Sequence, residues 1–291
     1  MTRSVIPNWR DVQGGCEPSS ARTQEGPISR DIGPTEDTAM RRFTAAAPPQ
    51  TPTVQGGAPR RAAIGNQRSR VGVMVFPGSC DDRDALRAVE LMGADPVRIW
   101  HRDDDLGGAD AVIVPGGFSF GDHLRCGALA ALSPAMAAVR AHAEAGGPVL
   151  GICNGFQVLT EAGLLPGILR PNAGLRFRCH DAPLIAERES QWLPGARAGD
   201  RLTIPIKHHD GGWYAPADQV AELERRGQVL LRYEENPNGS VGSIACVTNE
   251  RGNVAGLMPH PEHAVDELLG STHGRVLLQG LLDLARAPVA A

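Results

Sequence analysis

The chain has 291 residues, 42% of them hydrophobic and 21% charged, with a formal net charge of -4. This is the composition of an ordinary soluble chain with enough apolar content for one main domain, and it gives no electrostatic reason to expect nucleic acid or an anionic membrane as a partner. No apolar run reaches membrane-spanning length and the first residues lack the apolar stretch of a secretory signal, so a cytoplasmic location is expected, with the six cysteines as free thiols.

Residues 1–69 are rich in Pro, Gly, Ser, Thr and Arg, with Pro48-Pro49, Gly56-Gly57 and no sustained hydrophobic period, so no core face can be drawn through them. A disordered extension is expected there, with the folded domain over 70–291. From Val71 onward strand and helix take turns. Val71 to Phe76 reads as a β-branched strand, Asp82 to Met92 as an amphipathic helix, and Pro96 to Trp100 and Asp110 to Val114 as two further strands. Pro115-Gly116-Gly117-Phe118 follows directly, and glycines at a strand exit leave backbone N–H groups able to face a ligand. Asp122, His123 and Arg125 beyond it read as solvated loop residues. Cys80 and Cys126 lie on loops near the pocket, where buried inert thiols are the common outcome.

Pro134 to Ala145 is helical by composition and feeds a short apolar strand, Pro148 to Ile152, which ends in Gly151-Ile152-Cys153-Asn154-Gly155. Helical spacing resumes from Asn154 to Gly163, so Cys153 falls on a strand-to-helix turn. Flanking glycines suit a nucleophile elbow, in which a strained central residue needs close backbone approach on either side. The helix N-terminus behind the thiol is expected to favour thiolate, the attacking species. By analogy with such elbows, the amides of Asn154 and Gly117 are the expected oxyanion donors. Gln157, one helical turn after the cysteine, shares the elbow's face and is a candidate substrate contact, or else a helix-surface amide.

Beyond the elbow, strands are expected at Leu175 to Cys179, Leu202 to Ile206, Val229 to Tyr233, Ile244 to Thr248 and Val254 to Met258, with turn signals such as Asn236-Pro237-Asn238-Gly239 between them. The fold class expected is therefore α/β: an open, mostly parallel sheet with helices on both faces, plus antiparallel additions. His208-His209-Asp210 would have to converge from three adjacent positions to hold an ion, so no metal site is expected. The last strand delivers His260-Pro261-Glu262. With Pro259 and Pro261 holding the segment extended, residues two apart face the same side, so Glu262 can fix the imidazole while its other nitrogen moves a proton. Ligand sites in open α/β sheets lie beyond the carboxyl ends of strands, where Gly117, Cys153 and His260 should converge. Cys153 as nucleophile, His260 as acid and base and Glu262 as its orienting carboxylate form a candidate catalytic triad.

From Val71 to about Leu282 the chain resembles the glutamine amidotransferase subunits of phosphoribosylformylglycinamidine synthase, within the class I triad glutaminases. The segments that carry the resemblance are Phe76-Pro77-Gly78-Ser79, Pro115 through Asp122, Gly151 through Gly167, Asn236 through Ser240 and Gly256 through Glu262. It implies hydrolysis of glutamine to glutamate and ammonia by Cys153, His260 and Glu262, with Gly117 at the oxyanion. The ammonia would pass to an ATP-dependent synthetase subunit that makes formylglycinamidine ribonucleotide in purine synthesis, with room for a small accessory subunit. No phosphate-binding glycine motif opens a helix in this chain, so no cofactor is expected here, and ATP with magnesium belongs on the synthetase. The stretches His180 to Trp192 and Lys207 to Gly211 depart from the family's pattern, which puts substrate contacts there in question. Two alternatives stand beside this reading: a triad glutaminase serving a different synthetase, and a catalytically silent regulatory subunit.

Overall fold

The computed structural model describes residues 68–287, and the extension expected over 1–69 lies outside them except for Arg68 and Ser69. The first half alternates as expected: β1 (Arg70–Val75), α1 (Asp82–Leu91), β2 (Asp95–Trp100), β3 (Ala111–Val114), α2 (Pro134–Glu144), β4 (Val149–Ile152) and α3 (Asn154–Glu161). The second half contains β5 (Ile168–Arg170), β6 (Arg178–Ala186), β7 (Arg201–His208), β8 (Gly212–Tyr214), α4 (Ala217–Arg226), β9 (Val229–Tyr233), β10 (Ile244–Thr248), β11 (Val254–Leu257) and α5 (Gly274–Arg286).

One nine-stranded sheet runs β2-β1-β3-β4-β11-β10-β9-β6-β7. Its half from β2 to β11 is parallel, and its half from β11 to β7 antiparallel. Every residue of β3, β4 and β11 is buried, so both sides of the sheet centre are covered, as parallel strands with crossover helices require. No helix of the described residues is long and apolar enough to cross a membrane.

Two differences from the sequence reading have clear physical causes. A strand was expected over Leu175 to Cys179, but Leu175 takes a left-handed φ of 51° in a turn, and the strand starts at Arg178 and continues to Ala186. The stretch from His180 to Trp192 is thus largely β6, and it ends in a buried Trp192 whose indole N–H donates to the Gly252 carbonyl at 2.7 Å. Helices α4 and α5 were not anticipated, although Pro216 before α4 and the left-handed Gly227 after it are ordinary helix punctuation.

The elbow depends on close packing between α3 and its neighbouring strands. A Cβ built on Gly155, in the first turn of α3, would lie 1.8 Å from the Val114 carbonyl oxygen on β3. Backbone cannot retreat cheaply inside a parallel sheet, so Gly155→Ala is expected to destabilise the protein by about 2–3 kcal/mol. A thermal melt should show a drop of several degrees, and an unchanged midpoint would mean that α3 is free to move away from β3.

Candidate active site

Cys153 sits between β4 and α3 at φ 50°, ψ -106°, a conformation that non-glycine residues avoid. The strand delivers it, the helix starts immediately after it, and the backbone strain that a nucleophile elbow predicts is present. Its thiol donates to the carbonyl oxygen of Lys207 on β7, at 3.7 Å. The thiolate expected from the helix terminus alone is not favoured in this arrangement. Burial pushes the thiol's pKa upward, and the nearby carboxylates of Asp81 and Glu262 push it further, against the Asn154 amide and the Lys207 ammonium. Helix-end polarity is a small effect, and here desolvation outweighs it.

His260 follows β11 and is 1% exposed, and its Nδ1 lies 2.6 Å from Glu262 Oε1, itself on a buried side chain. The sequence reading had an extended chain bring the two together. Instead Pro261–His263 forms a single 3-10 turn, and that turn folds the carboxylate back onto the imidazole. The ring's other nitrogen, Nε2, is buried and has no hydrogen-bond partner among the described residues. The backbone N–H of His260 donates to Pro205 of β7 at 2.8 Å.

The glycine loop completes this end of the sheet. Gly117 has φ 144°, and a Cβ there would lie 2.6 Å from the Cys80 nitrogen, so the position demands glycine on both counts. Its loop is held by the segment after β1: Phe118 N–H donates to Gly78 at 2.9 Å, and Cys80 and Asp81 N–H donate to Gly116 at 3.3 and 3.2 Å. A side chain at Gly116 would strike Asp81 Oδ2 at 2.3 Å and His260 Cε1 at 2.8 Å, which shows how tightly the loop, the carboxylate and the imidazole meet.

A cavity at this point is lined by Gly117, Phe118, Cys153, Gln157, Phe177 and Lys207, with Cys80, Asp81, Asp122, Cys126 and the stretch His208 to Asp210 completing its wall. Gln157 is buried, not a helix-surface amide. Its side-chain oxygen accepts from Asn154 at 2.8 Å and its amide donates to the Asp210 carbonyl at 2.7 Å, while Asn154 Oδ1 accepts from Ser119 N–H at 3.2 Å. That chain of bonds ties the glycine loop, the elbow helix and the 207–211 stretch into one wall. His208 belongs to the scaffold: its Nδ1 meets Asn172 Oδ1 at 3.0 Å, and burial pushes its pKa down to about 3. Asn238 secures the same stretch by donating to Gly211 at 2.8 Å.

Three residues of this region were missed in sequence: Asp81, Lys207 and His263. Asp81 is 4% exposed at its side chain and takes the Lys207 ammonium at 2.5 Å, with His263 Nε2 at 3.6 Å and His260 Nδ1 at 3.7 Å. Burial would raise its pKa, but the contact with His263 and the bond to Lys207 more than offset that and hold the carboxyl well below the usual range. Ligand atoms of Asp81, His260, Glu262 and His263 lie within 4.8 Å of one another. The Lys207 ammonium and the His263 imidazole, whose pKa is raised by its contact with Asp81, already sit against these carboxylates, so the cluster reads as an ion-pair network. The available signals were that Lys207 is the chain's single lysine and that Asp81 lies two residues past the Phe76 to Ser79 segment.

Comparison with known proteins bears on this site. The CobB/CobQ-like glutamine amidotransferase domain matches residues 68–276. The chain is 55% identical over 218 residues to the phosphoribosylformylglycinamidine synthase subunit PurQ of Rubrobacter xylanophilus, across 75% of this chain and 99% of that one. The chain belongs to the PurQ family of glutamine amidotransferases. A second PurQ, from Corynebacterium jeikeium, is 55% identical over 217 residues, covering 74% of this chain and 97% of its own. Among solved structures, PurLQS from Thermotoga maritima matches with a TM-score of 0.69 at 41% identity, over 75% of this chain and 99% of that one. The domain match spans the sheet and all the residues assembled above. It also agrees with the resemblance drawn from the elbow, the glycine loop and the His260-Pro261-Glu262 segment.

Proposed function

We propose that Cys153, His260 and Glu262 are the catalytic triad of a glutaminase that feeds ammonia to the synthetase subunit of phosphoribosylformylglycinamidine synthase. The chain is a glutamine amidotransferase subunit of that enzyme and works in complex with its PurL-type partner. The observation that carries the triad assignment is the Cys153 elbow, a non-glycine residue held at φ 50° at the edge of a cavity that Gly117 and Gln157 also line.

The chemistry follows from where charge develops. The thiol leaves the Lys207 carbonyl and gives its proton to the partnerless Nε2 of His260, whose Nδ1–H is held by Glu262. Sγ attacks the carboxamide carbon of glutamine, and negative charge forms on its oxygen. The Gly117 and Asn154 amides are the donors we assign to that oxygen, each contributing roughly 3 kcal/mol by comparison with other acyl-transfer sites. No protein acceptor takes the Gly117 N–H among the described residues, which leaves it available for this role. His260 returns the proton to the leaving nitrogen, ammonia departs, and a thioester remains. Water, activated by the same imidazole, releases glutamate and restores the thiol. Gln157 walls the substrate cavity with its amide locked, a rigid contact for the bound glutamine.

Ammonia freed into water would be protonated and lose its nucleophilic lone pair, so transfer has to be direct. ATP and magnesium belong to the partner synthetase in this scheme, and the cytoplasm is the location we assign. The test is reconstitution with the synthetase, formylglycinamide ribonucleotide, ATP and magnesium. Glutamine should support amidine formation, and a complex that responds only to ammonium salt would overturn the reading. Running the same assay with other synthetases and acceptors separates the alternative in which the glutaminase serves a different enzyme.

A further inference from the structure

We infer that Lys207 is a positioning residue of this site, whose ion pair with Asp81 locks the glycine loop and the Cys153 thiol to the last strand of the sheet and balances the second carboxylate beside His260. The inference rests on the glutaminase reading above. Strands β1 and β7 lie far apart in the sheet, β7 at the antiparallel edge and β1 next to the opposite one. Yet the carboxyl end of β7 reaches across to the loops that follow β1, β4 and β11, and it touches each through a different atom. Pro205 O takes the His260 N–H at 2.8 Å, Lys207 O takes the Cys153 thiol at 3.7 Å, and Lys207 Nζ donates to Asp81 Oδ1 at 2.5 Å. Asp81 in turn donates its backbone N–H to Gly116 at 3.2 Å, so the ion pair is a direct tie between the oxyanion loop and the strand that holds the thiol.

The charges point the same way. Asp81, Glu262, His260 and His263 face the thiol's side of the site from the loops after β1 and β11, and Lys207 faces it from β7. Asp122, Cys126 and Asp210 also line the cavity. Within this set Lys207 is the one permanent cation. A thiolate forming at Cys153 would otherwise meet two buried carboxylates with only imidazoles to offset them, and buried like charges oppose ionisation. Lys207 therefore serves both geometry and charge.

Removing the cation should consequently make Cys153 harder to ionise, and removing its carboxylate partner as well should undo the effect. The experiment measures the rate of Cys153 alkylation by iodoacetamide against pH on the full chain, read from the mass of the Cys153 peptide, together with kcat and KM for glutamine in the reconstituted complex. Lys207→Met should shift the alkylation profile upward by about one pH unit, slow labelling about tenfold near neutrality, and lower kcat. Lys207→Arg should keep the native profile, and Lys207→Met with Asp81→Asn should recover most of the loss. A native profile in Lys207→Met, or a double variant no better than the single, overturns the inference. If Lys207→Met alone does not fold, the double variant is compared with Asp81→Asn: slower labelling in the double supports the role, and equal rates contradict it. Failure of the underlying reading looks different, because glutamine hydrolysis would then survive Cys153→Ala.

Discussion

Cys153→Ala will abolish glutamine-dependent amidation by the reconstituted complex while leaving ammonium-dependent amidation intact. The elbow offers one nucleophile to the carboxamide, and alanine in its place leaves the cavity, the glycine loop and the His260–Glu262 pair standing with nothing to form the thioester. Losing the nucleophile of a comparable triad costs about a millionfold in kcat, which takes glutamine turnover below ordinary detection. Fold should be retained, because the thiol's bond to Lys207 O is weak and alanine is smaller. The two-substrate comparison matters more than the loss itself. If ammonium-dependent activity falls along with the glutamine-dependent activity, the division of labour between glutaminase and synthetase is wrong.

His260→Ala should come next in size. In the proposed mechanism one imidazole takes the thiol proton, protonates the leaving nitrogen and activates water, so its loss would remove acid and base together. The expected fall in kcat for glutamine is at least about ten-thousandfold, with KM little changed because His260 is not among the residues lining the Cys153 cavity. Its buried Nε2 has no partner to lose among the described residues, although Glu262 would be left without its hydrogen-bond donor and some stability should go with it. Steady-state kinetics on the folded variant decide the matter. Activity within tenfold of native would transfer the proton-shuttling role to another group, with His263, whose ring centroid is 5.3 Å from that of His260, the first to examine.

What was legible in sequence was set by constraints local to a short stretch of chain. Cys153 between Gly151 and Gly155 could be placed because a strained turn at a crowded strand exit needs those glycines, and the Cβ of any residue at Gly155 collides with β3. The alternating first half was legible because strands buried on both faces, such as Ala111–Val114, read as short unbroken apolar runs. What escaped were relations set only by tertiary approach. Lys207 and Asp81 are 126 positions apart and meet because the edge strand reaches across the ends of the sheet. His263 has no partner visible in sequence, yet it meets Asp81, Asp84 and Glu262. The thiol's protonation was misjudged for the same reason, since helix polarity is local and readable while burial and distant carboxylates are not.

The central claim is that the Cys153 thiol of this chain attacks glutamine. The direct measurement is covalent labelling of the reconstituted complex with a glutamine-mimicking chloroketone, followed by peptide mass mapping of all the cysteines. The account predicts a single adduct on the Cys153 peptide, formed in step with the loss of glutamine-dependent activity and slowed by added glutamine. Labelling centred on Cys80 or Cys126, which line the same cavity, or inactivation without any adduct on Cys153, would contradict it.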